Sequence, residues 1–187
     1  MPDGDLVHYI DQVDTVQPVL VRDWTGARIP LHAVSSGQVL LAFRTPAAIE
    51  RYLERPMERF TDHTLTDADA VRERLREVRR QGYIWAMDEF EAGISSIAAP
   101  IADASGEVIA AVHVHGPSYR FPAEGSKADL AQQVLAGAAR IAAGLIPLTG
   151  SGLVLQLNDS TLAVPAGADE ADYLVTARDI RTVVAEL

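Results

Sequence analysis

Cysteine does not occur in the 187 residues of this chain. Disulfide staples, thiolate nucleophiles and Cys-ligated zinc are thereby excluded, and a hydrophobic core has to hold the fold. A signal-like start and any long apolar run are also missing, a pattern that predicts a soluble, cytoplasmic protein with no membrane partner. Positive charge is scarce: 16 Lys and Arg stand against 26 Asp and Glu, a formal net charge of −10. Sequence-independent affinity for nucleic acid needs clustered cations, so this chain by itself is not a nucleic-acid binder. The densest cationic stretch, Arg72, Arg74, Arg76, Arg79 and Arg80, is interleaved with Glu73 and Glu77 at helical spacing. That pattern reads as a solvated helix face rather than a phosphate site.

What is present fits one soluble domain, with 48% hydrophobic and 22% charged residues. Residues 5–13 alternate as a strand, 18–21 form a short apolar strand, and Gly26 with Pro30 mark a loop. Ser35 or Ser36 offers an N-cap for a first helix, and Pro46 opens a short second one. The clearest helix follows: Thr66 and Asp69 resemble a capping box, Val71, Leu75 and Val78 recur at helical spacing, and Gly82 suits a left-handed cap. The period then switches to strands, through an acidic turn at residues 88–93 and a Ser105-Gly106 hairpin turn, to a strand ending at His115. Residues 125–145 form an Ala-rich helix with Leu130, Val134, Leu135, Ala138 and Ile141 on one stripe. Small residues on it, Gly137, Ala138, Ala142 and Ala143, would permit close approach and self-association to a dimer or tetramer. Residues 146–187 add a hairpin about Asn158-Asp159 and a final helix. The pattern predicts an α+β domain, a central antiparallel sheet flanked by helices, with a small-molecule cavity between sheet and loops.

Two stretches, "RIPLHAVSSGQVLLAF" from Arg28 and "LREVRRQGYIWAMDEFEAGISSIAAPIADASGEVIAAVHVHGP" from Leu75, resemble the effector-binding domain of IclR-family transcriptional regulators. Ala86 stands where that family usually has Asp or Ser, and Ala102 where it usually has an aromatic or His. The resemblance implies a GAF-like effector domain over residues 1–145, a ligand sensor and not an enzyme, requiring no cofactor. It also implies that DNA is read by a winged helix-turn-helix which, with an opening strand, this chain does not carry. Residues 153–157 are then expected to add a strand to the sheet edge that the opening strand would fill, because an open edge is a liability. By the same resemblance the effector pocket is lined by Pro18, Val21, Ser35, Ser36, Ala86, Ser96, His113 and His115.

The pair His113 and His115 lies two apart on a strand, so both imidazoles project from one face. Three readings stay open. The rings are hydrogen-bonded core residues; or they donate to a small, anionic organic effector together with Ser35, Ser36 and their amides; or they hold a divalent metal such as zinc, with His32, Glu89, Glu91 or His8 as third ligand. His32 reads first as a residue that fixes its loop, Asp88, Glu89 and Glu91 as a solvated turn, and Trp85 as core. Trp24, beside Gly26, reads as a cover for a ligand or partner. Two other function classes remain: a cupin-like metal enzyme, which the distant Glu124 disfavours, and an oligomerisation module without ligand.

Overall fold

A computed structural model describes residues 4–13, 24–144 and 160–165. In chain order it contains β1 Leu6–Val13, β2 Arg28–Pro30, a 3-10 turn Leu31–Ala33, α1 Ser35–Ala42, α2 Pro46–Leu53 and α3 Ala68–Gln81. There follow β3 Ile84–Met87, β4 Ile94–Ala102, β5 Val108–Pro117, α4 Lys127–Gly144 and β6 Ser160–Pro165. The strands form one antiparallel sheet in the order β2-β1-β6-β5-β4-β3. This is the α+β architecture that the switching periods predict.

Local chemistry sets most element ends. Thr45 caps α2, its hydroxyl accepting from the Ala48 amide at 3.3 Å, and Pro46 follows in the first turn. The cap of α3 is Asp67, which accepts from the Ala70 amide at 2.9 Å, whereas Thr66 accepts from Arg59. Gly82 ends that helix at φ 78° as its position predicts. α1 departs from expectation: extended Val34 precedes it, no side chain caps it, and Ser35 and Ser36 are its first helical residues. Residues 28–30, expected as loop, are a strand because a distant partner pairs with them, Val7 opposite Ile29.

Side-chain parity separates the two faces of the sheet. Trp85 lies beneath Lys127 of α4, and the register Trp85–Ile97–Val114 carries that face across the sheet. α4 buries Ala131, Val134, Ala138 and Ile141 there, with Leu130 and Leu135 only half-buried. Gly137 and Ala138 are thus turned inward, so the small-residue stripe expected to mediate self-association is largely spent on the protein's own sheet. The opposite face carries Ala86, Ser96 and His115 in one row, and α1 packs on it, Ser35 Oγ lying 2.8 Å from Ser96 Oγ. α1 sits close against the 3-10 turn because position 37 is glycine: a Cβ there would meet the Leu31 carbonyl oxygen at 2.5 Å and its Cα at 2.7 Å.

β6 runs between β1 and β5, pairing Ala163 with both Tyr9 and Ala111. The tail therefore does contribute a strand, but it is residues 160–165 and its place is inside the sheet. Residues 153–157, the expected strand, lie outside the described residues, as do the 18–21 strand and the final helix.

Two outcomes follow from this packing. Gly37→Ala is expected to cost about 3 kcal/mol in urea denaturation, because backbone atoms cannot yield as a flexible side chain can. Removing residues 160–187 is expected to speed hydrogen exchange at the amides of β1 and of residues 111–114. Unchanged protection there would refute the joining role of β6.

Candidate functional site

Between the sheet face under α1, the 3-10 turn and the turn after β3 lies a cavity of about 440 Å³, counted with its open mouth. Its walls are aromatic on one side, with Tyr9, Trp24 and Phe90, the last two in edge-on contact at 5.6 Å. Ile29, Ala33, Val34, Ala86 and Ile94 supply apolar surface. Polar atoms come from Ser96, His113 and His115 on the sheet and from Glu89 and Glu91 on the turn. Among the described residues no Lys or Arg is on this lining.

The two histidines are buried and bonded to each other. Nε2 of His113 lies 3.1 Å from Nδ1 of His115, with the rings at 88°. One of these nitrogens carries the proton they share. Nδ1 of His113 is buried with no hydrogen-bond partner among the described residues. Burial, reinforced by the neighbouring His115 ring, holds His113 well below the usual imidazole range, so it is neutral at pH 7. The Tyr9 ring leans on it at 5.5 Å.

Around this pair the other polar groups are already engaged. Tyr9 Oη and Ser36 Oγ bond at 3.0 Å, and burial raises the phenol far above its ordinary range, keeping it protonated. Glu89, expected as part of a solvated turn, is 4% exposed. Its carboxylate accepts from Gln38 Nε2 at 2.6 Å and from Arg74 Nη1 at 2.9 Å. Burial pushes its pKa upward while Arg74 and Gln38 pull it back. Arg74 is thus no member of a solvated face: it also donates to the Trp85 carbonyl at 3.0 Å. Its neighbours do pair at the surface, Arg72 with Glu50 and Asp69, and Arg76 with Glu73. Hydroxyls of Thr61 and Thr64 hold the carbonyls of Asp88 and Glu89 from behind.

Of the sequence-predicted site residues, Ala86, Ser96, His113 and His115 come together on the cavity wall. Ser35 and Ser36 do not line it; they stand one layer back, holding Ser96 and Tyr9, which do. Pro18 and Val21 lie outside the described residues. Trp24 covers the cavity as its loop position suggested, whereas Trp85 is on the α4 face. Tyr9, Ile29, Phe90 and the Gln38–Arg74 support of Glu89 went unread, because only tertiary pairing reveals them.

His32 cannot serve as a third metal ligand in this geometry. Its Nε2–H donates to the Glu58 carbonyl at 2.8 Å and its Nδ1 accepts from Tyr52 Oη at 2.8 Å. Both ring nitrogens are therefore used in fixing the loop. His8 alternates with Val7 and Tyr9 on β1 and so projects from the other face. Among the described residues no three His, Asp or Glu side chains converge as a metal site requires.

Comparison with known proteins agrees with the fold. The family model described as bacterial transcriptional regulator IclR C-terminal matches residues 1–143. The regulator BhcR of Paracoccus denitrificans is 35% identical over 150 residues, 80% of this chain and 53% of that protein. KdgR of Escherichia coli is 35% identical over 123 residues, 65% and 47% of the two chains. The chain thus spans about half the length of these curated relatives. The solved C-terminal domain of E. coli KdgR superposes with a TM-score of 0.59 at 30% identity, over 75% of this chain and 87% of that one. A double mutant of the PobR inducer-binding domain from Acinetobacter, solved with 3-hydroxybenzoic acid, gives 0.63 at 25% identity, covering 74% and 86%.

The buried neutral state of His113 has a pH signature. Below about pH 6.5 the unfolded chain binds a proton that the folded chain refuses, so stability is full above that value and falls as pH drops toward the lowered folded pKa. Over that window His113 is expected to contribute a slope of about 1.4 kcal/mol per pH unit. Urea denaturation of His113→Gln between pH 5 and 7 should show a slope shallower by that amount. An unchanged slope contradicts the buried neutral ring.

Proposed function

The chain belongs to the IclR C-terminal family of bacterial transcriptional regulators, and we propose that it is the sensing part of one: a small, flat organic effector enters the cavity and biases assembly and DNA binding. The observation that carries this reading is the cavity itself. Aromatic rings of Tyr9, Trp24 and Phe90 wall it, and a row of sheet polar groups, Ser96, His113 and His115, meets whatever lies between them. Such a combination of apolar walls with few convergent polar atoms suits recognition of a small molecule. Turnover is not part of the proposal, since the relatives named above are regulators, the Ser96 hydroxyl beside His115 is bonded to Ser35 and Glu89 is tied to Arg74.

DNA contact, on this reading, belongs to a winged helix-turn-helix outside this chain, because the excess of 26 acidic over 16 basic residues offers phosphate no attraction. Self-association to a dimer or tetramer is the route by which such a sensor reaches DNA, through surfaces other than the inward-facing Gly137 and Ala138. No helix among the described residues is long and apolar enough to cross a membrane, which supports a cytoplasmic place for the regulator. Metal does not enter this proposal. The expected anionic character of the effector is constrained by the lining: Glu89 and Glu91 are on it, and the donors among its described residues, Tyr9, Trp24, Ser96 and the histidines, are neutral side chains.

A panel of aromatic and short-chain acids, amides and alcohols, with 3-hydroxybenzoate included because a structural neighbour binds it, tests the proposal by thermal denaturation. At a hundred times its dissociation constant a bound compound is expected to stabilise by about 2.7 kcal/mol. The same compound should change the fluorescence of Trp24, identified by loss of the signal in Trp24→Phe. Replacing both His113 and His115 by Ser should abolish the stabilisation while the unliganded fold persists. A panel that stabilises nothing, or a double variant stabilised as fully as the unaltered protein, refutes it.

A further inference from the structure

Two neutral imidazoles carry two N–H protons over four nitrogens. In the pair His113–His115 one proton lies between Nε2 of His113 and Nδ1 of His115, at 3.1 Å. The other must sit on one of the two outer nitrogens, Nδ1 of His113 or Nε2 of His115. The neutral pair therefore always has one donor end and one acceptor end, and exchanging them moves both protons: the shared one crosses the bond while one outer nitrogen gives up a proton and the other gains one. The Nδ1 end of His113 is buried on the cavity wall and has no hydrogen-bond partner among the described residues.

We infer, on the sensor reading above, that this pair accepts an effector head group only as a net-neutral unit. A head group such as an amide binds without proton exchange, whichever end of the pair it meets, since it has both an acceptor and a donor. A carboxylate has lone pairs alone: it is repelled by an acceptor end, and at a donor end it finds a bond but leaves its full negative charge uncompensated beside Glu89 and Glu91. One proton taken from the buffer forms a new N–H bond, makes both outer nitrogens donors and gives the pair the positive charge that cancels the carboxylate.

Among the described residues no other group on the lining supplies that charge. The polar groups that share the lining with the pair, besides the indole of Trp24, are Tyr9 from β1, Ser96 from β4, and Glu89 and Glu91 from the turn after β3, with Ser36 of α1 behind Tyr9. Two of these are carboxylates, and the guanidinium nearest to them, Arg74, is already paired with Glu89 at 2.9 Å. Burial disfavours a lone imidazolium here, so the proton arrives with the acid and leaves with it.

Titration calorimetry of the unaltered protein with 3-hydroxybenzoate and with 3-hydroxybenzamide, in buffers of differing ionisation enthalpy, counts the protons. Uptake of one proton per benzoate and none per benzamide is expected between pH 7 and 8. The benzoate dissociation constant should then rise about tenfold over that unit while the benzamide value stays level. Nitrogen-15 spectra of histidine-labelled protein should show the added proton on the imidazoles.

Benzoate bound without uptake, benzamide bound while benzoate is excluded, or a proton found on Glu89 by its loss in Glu89→Gln overturns the inference and leaves the sensor reading standing. Neither probe binding while other panel compounds stabilise does the same. If no compound of any class stabilises, both readings fall.

Discussion

The antiparallel register of β4 on β5 decides which side chains meet the cavity and which meet α4. Ser96 opposite His115 and Ala98 opposite His113 face α1, and Ile97 opposite Val114 and Ala99 opposite Val112 face α4. Because the side-chain period of a strand is two, a slip of one residue would exchange the two sets. Two imidazoles would then be driven against Ala131, Val134 and Ala138, and two valines would be turned into the polar row. Burying unpaired ring nitrogens in an apolar layer costs several kcal/mol, which rejects the slipped pairing. At the hairpin end Asp103 reinforces the register, its carboxylate accepting from the amides of Ser105 and Glu107.

That ladder is also the part of the molecule most open to reading in one dimension. Gly106 at φ 83° marks the turn, alternation marks the strands, and the words around them carry the family resemblance. α3 was equally legible because its apolar stripe, first-turn acid and terminal glycine agree. What stayed hidden depends on partners far along the chain. β2 is three residues long and exists through β1. Glu89 looks like any turn carboxylate until Gln38 and Arg74 close on it, from 51 and 15 residues away. Ser35 and Ser36 resemble caps because their neighbours do, yet their hydroxyls are drawn away by Ser96 and Tyr9.

The tail adds a second kind of dependence. With order β2-β1-β6-β5, the ladder that presents His113 reaches Tyr9 only through β6. Tyr9 leans on the His113 ring and is fixed by Ser36, so the aromatic wall and the polar row are aligned by a strand from residues 160–165. A sheet missing its sixth strand would leave unpaired amides along β1 and β5 and no covalently local reason for the two halves to share a plane. Site geometry here is therefore non-local in sequence even though every contact within it is short.

Around the cavity nearly all polar atoms are satisfied by the protein itself: His32 by Tyr52 and Glu58, Glu89 by Gln38 and Arg74, Ser35 by Ser96. These bonds hold the walls, and of the groups so engaged the Ser96 hydroxyl on the lining keeps capacity for a further bond. Nδ1 of His113 is different, a buried nitrogen without a bond among the described residues. Leaving such a group unmade costs about 1–3 kcal/mol. A ligand that completes the bond removes that cost as it binds, and an analogue lacking the group cannot. Discrimination at a site built this way comes chiefly from what the protein leaves unpaired, and the aromatic walls supply affinity that many flat molecules would share. On the sensor reading, selectivity would thus concentrate on Nδ1 of His113, whose character as donor or acceptor is set by which way the bond from Nε2 of the same ring to His115 runs.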